Sequence, residues 1–130
     1  MADNLQVDLV AADRVVWSGE ASMVVARTTD GEVGILKDHA PVLSVLVQSG
    51  VELETADNGR LYAVVDGGFL SVANNKVSIL SSYAQLADEI DVAEARRALE
   101  EARSSGDDGP ERENEIRLAE ARVWVAEKSS

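Results

Sequence analysis

The chain has 130 residues, about one domain by the usual length scale, and can bury a modest core without metals or disulfides. Its 24 acidic against 12 basic residues leave a net charge of −12, which repels phosphate backbones and lipid headgroups and sets nucleic acid and direct lipid insertion aside. With no cysteine and a single histidine, His39, there are no disulfides, thiolate sites or multi-histidine zinc centres, so no metal or cofactor is expected.

Leu5, Val7 and Leu9 alternate with Gln6, Asp8 and Val10, the period of two that a half-buried strand requires. Apolar runs follow at Val15 to Trp17, Met23 to Ala26, Ile35 to Leu36 and Val42 to Val47. Gly19, Asp30-Gly31 and Pro41 punctuate them, which predicts many short strands. Asn58-Gly59 tolerates positive φ, and a two-residue loop there pairs Asp57 with Arg60. That register puts Val51, Leu53, Tyr62 and Val64 on one face and Glu52 and Glu54 on the other. Asn74-Asn75 likewise pairs Ala73 with Lys76, aligning Leu70 and Val72 with Ile79 and Val77 while Ser71 meets Ser78 outside. The predicted architecture is an antiparallel β-sandwich or flattened barrel.

Near residue 85 the chain changes character. Seven of the nine glycines and 16 charged residues lie at or before Gln85, whereas the 45 residues from Leu86 carry 20 charges and are dominated by arginine, glutamate and alanine. Residues 1–85 are expected to form the sandwich and residues 86–130 a helical unit, an α+β chain. Asp91 followed by Glu94 resembles a capping box and starts a helix with the stripe Val92, Ala95, Leu99 and Ala102. The polar stretch Ser104 to Pro110 ends it and opens a second, with Pro110 suited to a first turn and the stripe Ile116, Ala119, Val123 and Ala126. Helices of roughly 14 and 18 residues predict an antiparallel αα-hairpin about 20 to 27 Å long. Val92, Leu99, Ile116 and Val123 alone cannot offset the entropy of ordering about 30 residues, so the hairpin must lean on the sandwich or on another subunit. Weakly held elements of this kind are the ones that move in switches.

Few residues point to chemistry. The phosphate-cradling G-x-x-x-x-G-K-[ST] stretch is absent, and Gly67-Gly68 and Gly31-x-x-Gly34 lack the strand-to-helix setting of a dinucleotide site, so they read as turns or bulges. His39, in Lys37-Asp38-His39-Ala40-Pro41, reads as a surface turn with no G-x-S-x-G partner. Glu52 with Glu54 sits on an outer strand face, and Asp88, Glu89, Asp91 and Glu94 suit the positive end of a helix rather than acid and base work. Trp17 reads as core or sheet-edge packing, while Trp124 is a candidate partner contact. Arg96, Arg97, Arg103, Arg112, Arg117 and Arg122 offer an anion site, but glutamates three or four residues from most of them read as a solvated helix face. No run approaches the roughly 18 apolar residues of a membrane helix, and Met1-Ala2-Asp3-Asn4 does not open a secretory signal, so a soluble intracellular chain is expected.

Gly31 to Pro41, GEVGILKDHAP, resembles the G-x-x-G-I-L-x-x-H-x-P signature of the epsilon subunit of F-type ATP synthases. The resemblance extends through Trp17-Ser18-Gly19, VVDGGFLSV from Val64 to Val72, and Val77 to Leu80, covering Leu5 to Ile90 and weakening beyond. It implies a non-catalytic central-stalk rotor subunit that couples proton flow to ATP synthesis, binds the gamma subunit through the sandwich and touches the polar loops of the c-ring. By position in the signature, Glu32 and the turn around His39 become candidates for the c-ring contact, with gamma on an apolar sandwich face. The implied setting is a hetero-oligomer held peripherally, through protein, at the cytoplasmic face of the cell membrane. In that family the hairpin lies folded on the sandwich or extends along gamma to the alpha and beta catalytic subunits and restrains ATP hydrolysis. Some bacterial members bind ATP through Ile or Leu, Asp, two variable residues, Arg and Ala. Ile90, Asp91 and Ala95 match that motif as nucleotide-binding candidates, but Glu94 stands in the arginine's place, so weak or absent ATP binding is expected. The alternatives are an adaptor sandwich whose hairpin docks a partner protein, and a small hydrolase using His39 with a carboxylate.

Overall fold

Alternation of apolar residues builds the first strands directly. In a computed structural model describing residues 4–56, 59–105 and 109–128, β1 (Leu5–Val10) buries Leu5, Val7 and Leu9 completely. β2 (Val15–Thr28), β3 (Gly31–Leu36), β4 (Val42–Thr55), β5 (Arg60–Ala73), β6 (Lys76–Leu80) and β7 (Ala84–Leu86) follow. The pairing β1-β6-β5-β4-β2 closes back on β1, a flattened barrel, with β3 added outside β2 and β7 beside β5. All neighbours run antiparallel except β1 and β6, which are parallel. That one departure from an all-antiparallel sandwich follows from the odd number of strands in the ring: four successive antiparallel pairings leave β1 and β6 running the same way.

β2, β4 and β5 are 14 residues each, not the short strands expected from the punctuation. Each changes which residues face inward partway along. On β2 the inward set passes from Trp17, Gly19 and Ala21 to Val24, Ala26 and Thr28, across a register shift after Ala21. On β4 it passes from Leu46 to Ser49, Val51 and Leu53, and on β5 from Ala63 and Val65 to Leu70 and Val72. A strand that switches parity serves one sheet with its first half and the opposite sheet with its second. On β5 the bend falls at Gly67 and Gly68, with φ of 69° and 109°. A Cβ on Gly68 would fall on the Leu80 carbonyl, so only glycine fits the corner.

The Asn74-Asn75 turn holds both residues at positive φ, 52° and 62°, and Ala73 faces Lys76 as expected. The preceding hairpin differs. Glu54 faces Arg60 and Leu53 faces Leu61, so Leu61 and Ala63, rather than Tyr62 and Val64, share the inner face with Val51 and Leu53. The loop is longer than two residues: the Thr55 amide and hydroxyl both donate to the Gly59 carbonyl, at 2.9 and 2.6 Å. Asp57 and Asn58, on which the expected turn was centred, lie outside the described residues. The correct register sends Tyr62 and Val64 to the outer face, where Val64 is nevertheless fully buried.

Its cover is the helical hairpin. After a 3-10 turn at Ala87–Glu89, α1 (Val92–Ser104) and α2 (Pro110–Glu127) follow, 13 and 18 residues long. Asp91 caps α1 by accepting from the Glu94 amide at 3.1 Å, and Pro110 sits in the first turn of α2. Part of the expected polar connection, residues 106–108, lies outside the described residues. α2 packs on β4 and β5, and α1 packs chiefly on α2, so α2 is the middle layer. Its apolar surface is accordingly wider than the single stripe expected: Ala121 and Val125 are buried besides Ala119 and Ala126.

Candidate functional site

Three regions carry the features that could serve function. The first is the seat of the hairpin. Gly50 lies on the outer face of β4, and a Cβ there would stand 2.6 Å from Trp124 Cζ3 and 3.1 Å from Val125 Cγ2. The glycine thus lets α2 sink onto the sheet. Trp124 meets Tyr62 edge to face, with ring centres 5.7 Å apart, and Lys128 Nζ lies 4.6 Å from the indole centre. Beside the indole a groove of about 630 Å³ runs between α2 and β2 to β4, walled by Arg27, Glu32 and Arg117.

Within the hairpin three of the arginines find glutamates on the facing helix, and two of these, Arg96 and Arg103, stay solvated as expected. Arg96 bonds Glu127 at 2.7 Å, Arg103 bonds Glu120 at 3.0 Å, and Arg122 approaches Glu94 at 3.5 Å. Arg122 Nε also donates to the Tyr83 hydroxyl at 3.2 Å, tying α2 to the sandwich, and Tyr83 in turn donates to Gln85. Of the nucleotide-binding candidates, Ile90 is buried against Val64, Asp91 is spent on the α1 cap and Ala95 is fully buried. Glu94 turns its carboxylate toward Arg122.

The second region is the connector. Arg14, in the turn between β1 and β2, grips Glu89 with both guanidinium arms, Nη1 to Oε2 at 2.9 Å and Nη2 to Oε1 at 2.8 Å, and its Nη2 also donates to the Ala84 carbonyl at 3.3 Å. Glu89 Oε1 further accepts the Leu86 amide at 2.9 Å. Glu89 therefore belongs to the connector and not to the opening turn of α1. The Arg14 hydrogen bonds hold its carboxyl below the usual carboxylate range, overriding the opposing effect of partial burial. Nothing local in the sequence announces this pair, whose members are 75 positions apart.

The third region is strand β3 with the turn after it, and the outer sheet face that the hairpin leaves uncovered; Glu32 also walls the groove beside α2. Glu32 and His39 lie beyond one another along β3: Glu32 near its start, 3.7 Å from Arg27, and His39 in the turn after its end. The structure does not bring them together. His39 Nδ1 lies 2.7 Å from the Ala40 carbonyl, and Asp38, at φ 66°, exchanges hydrogen bonds with Asn75 at 2.6 and 3.1 Å. On the outer face of β4, β5 and β6, Leu43, Val45, Phe69 and Leu80 are 73%, 48%, 54% and 49% exposed. Val45 faces Phe69, which faces Leu80, so the residues form one patch. The strand register could have revealed this patch, but only with the parity changes of β4 and β5 known.

A closed β-barrel with a covering helical hairpin and an exposed apolar face is the frame of a docking subunit. The family model for the ATP synthase delta/epsilon chain β-sandwich domain matches residues 4–87, and the chain belongs to this family. Among its relatives, the ATP synthase epsilon chain of Streptomyces coelicolor is 52% identical over 121 residues, 93% of this chain and 98% of that one. The epsilon chain of Rhodococcus opacus is 45% identical over 126 residues, 96% of this chain and 98% of that one. Among solved structures, the Euglena gracilis mitochondrial ATP synthase, OSCP/F1/c-ring, contains a chain that superposes with a TM-score of 0.76 at 26% identity, covering 98% of this chain and 81% of its own length. The fold also matches a chain of the Tetrahymena thermophila mitochondrial ATP synthase central stalk and c-ring, with a TM-score of 0.61 at 17% identity, covering 96% and 95%.

The protein is thus a non-catalytic rotor subunit of the ATP synthase central stalk, working within a hetero-oligomer. Membership sets aside the unrelated adaptor and the hydrolase. Association with the membrane is peripheral, and among the described residues no helix is long and apolar enough to cross one.

Two measurements check the local geometry. Gly50→Ala overpacks the Trp124 seat, at a cost of about 1 to 3 kcal/mol, and frees α2 while sparing the barrel interior. Limited trypsin cleavage at Arg112 and Arg117 should accelerate roughly fivefold or more, and an unchanged rate refutes the seat. For the connector, the Glu89 carboxyl is held lower in the folded chain than in the unfolded one. The contribution of its pair with Arg14 is therefore complete above the ordinary carboxylate range and disappears as pH falls through the depressed titration. The gap in urea midpoint between the wild-type chain and Glu89→Gln should hold from pH 7 to about 5 and close below about 4. A gap that persists in acid counts against the pair.

Proposed function

We propose that the apolar face of Leu43, Val45, Phe69 and Leu80 seats the gamma subunit, at the cytoplasmic face of the cell membrane. The observation that supports this is the exposure of four large apolar side chains on neighbouring strands, a patch that soluble chains keep for partners. The c-ring loops meet the edge strand β3, with Glu32 toward one end and the His39 turn at the other. The hairpin acts as a brake on ATP hydrolysis by leaving its seat and reaching the alpha and beta subunits. Its largely alanine-built contact and its ion pairs, which are satisfied within the hairpin, favour departure of α1 and α2 as one unit. Residues 90–95 bind no nucleotide tightly, because Glu94 presents an anion where a triphosphate needs a cation.

The test uses the catalytic head assembled with gamma. Val45→Asp with Phe69→Asp should abolish co-elution with gamma, whereas a chain ending at Ile90 should still co-elute and should raise the ATP hydrolysis rate above that given by the full chain. Retained binding by the double variant defeats the gamma face, and equal hydrolysis rates defeat the brake. Calorimetric titration of ATP into the isolated chain should give no micromolar binding; a dissociation constant in the low micromolar range reverses the nucleotide reading.

A further inference from the structure

The connector between barrel and hairpin is held unevenly along its length. Up to Glu89 it is stitched to the barrel: the Ser81 amide donates to Val10 at 3.0 Å, the Asp66 amide to Tyr83 at 3.1 Å, and β7 pairs with β5 from Ala84 to Leu86. The two-armed contact of Arg14 adds the Ala84 carbonyl and the Glu89 carboxylate to that set, and the carboxylate closes on the Leu86 amide. A fork meeting a carboxylate with two parallel bonds fixes orientation as well as distance. Beyond Glu89 the character changes. Ile90 bonds back to Ala87 at 3.2 Å, and both Ile90 and Asp91 have extended backbone, at φ −103° and −80°. From there on, the ties to the barrel are made by side chains: Arg122 to Tyr83 and Trp124 to Tyr62, which leave with α2, and Ile90 packed in one buried cluster with Val64.

We infer that Arg14 and Glu89 form a hinge clamp, which keeps residues 84–89 on the barrel when the hairpin departs and places the pivot at Ile90 and Asp91. The inference rests on the release of the hairpin proposed above. It assigns Arg14, a residue of the opposite end of the sequence, the role of setting where the moving part begins. With the clamp in place, two extended residues absorb the change in φ and ψ, and β7 keeps its pairing with β5. Without it, the moving part begins farther back, β7 peels off with the helices and the edge of β5 is left bare.

Hydrogen exchange followed by mass spectrometry on the full chain separates these cases. Gly50→Ala, which loosens the seat, should speed exchange across residues 92–105 and 110–127 roughly fivefold or more and leave residues 84–89 at wild-type rates. Adding Arg14→Gln, which leaves Glu89 free to accept the Leu86 amide, should then speed residues 84–89 roughly tenfold while β1 to β6 stay protected. Exchange of 84–89 in step with the helices when Arg14 is intact overturns the clamp, as does an Arg14→Gln variant in which 84–89 remain slow. Helices that stay protected in Gly50→Ala overturn the release reading and the pivot with it, while the Arg14→Gln comparison still decides whether the clamp holds the connector.

Discussion

A strand can line only one side of a core unless it changes which of its side chains point inward, and three strands here make that change. β2, β4 and β5 each cross from one sheet to the other, at Ala21 to Val24, Leu46 to Ser49 and Val65 to Leu70. The barrel closes because they do so, and the outer surface divides in the same places. Ahead of the switch on β4 and beyond the one on β5, the outer face carries Val45 and Phe69; on the other side of the switches it carries Gly50, Tyr62 and Val64. One outer face is therefore covered by the chain's own hairpin and the other is left exposed. The paired shifts of parity on β4 and β5 produce two surfaces with different occupants.

The acidic composition is handled by geometry rather than by dilution. Arg60 sits between Glu52 and Glu54, at 3.4 and 3.0 Å, and the hairpin pairs its arginines with glutamates of the facing helix. These exposed pairs contribute little stability singly, and they lie across the α1–α2 seam while the small residues of α2 face the barrel. Arg14 with Glu89 differs in being two-armed and shared with backbone groups, which makes it a positional restraint on the connector.

Features set by neighbours in sequence were legible from the sequence. The alternation of Leu5, Val7 and Leu9, the Asn74-Asn75 turn with its register, and the Asp91 cap each depend on a few adjacent residues. The long strands were not legible, because a parity change at a bend breaks the period of two just as a strand end does. The Val51 to Val64 hairpin slipped for a related reason: Asn-Gly suggests a two-residue loop, and the bonds from Thr55 to Gly59 build a longer one. Glu32 and His39 were assigned by resemblance, and their separation along β3 needed the strand direction. Arg14 with Glu89, and Gly50 beneath Trp124, join distant positions and leave no periodic trace.

The connector's brevity also bears on competition. With two extended residues between Glu89 and the first turn of α1, the start of α1 stays within a few ångströms of its folded position however far the rest of the hairpin swings. A tether that short holds the seat at an effective concentration of about millimolar or above. Any surface that draws α2 away is therefore competing with a site that is always nearby, so it must bind in more than the thin, alanine-rich fashion of the seat itself. On the release proposed above, return to the seat is intramolecular and needs no second molecule.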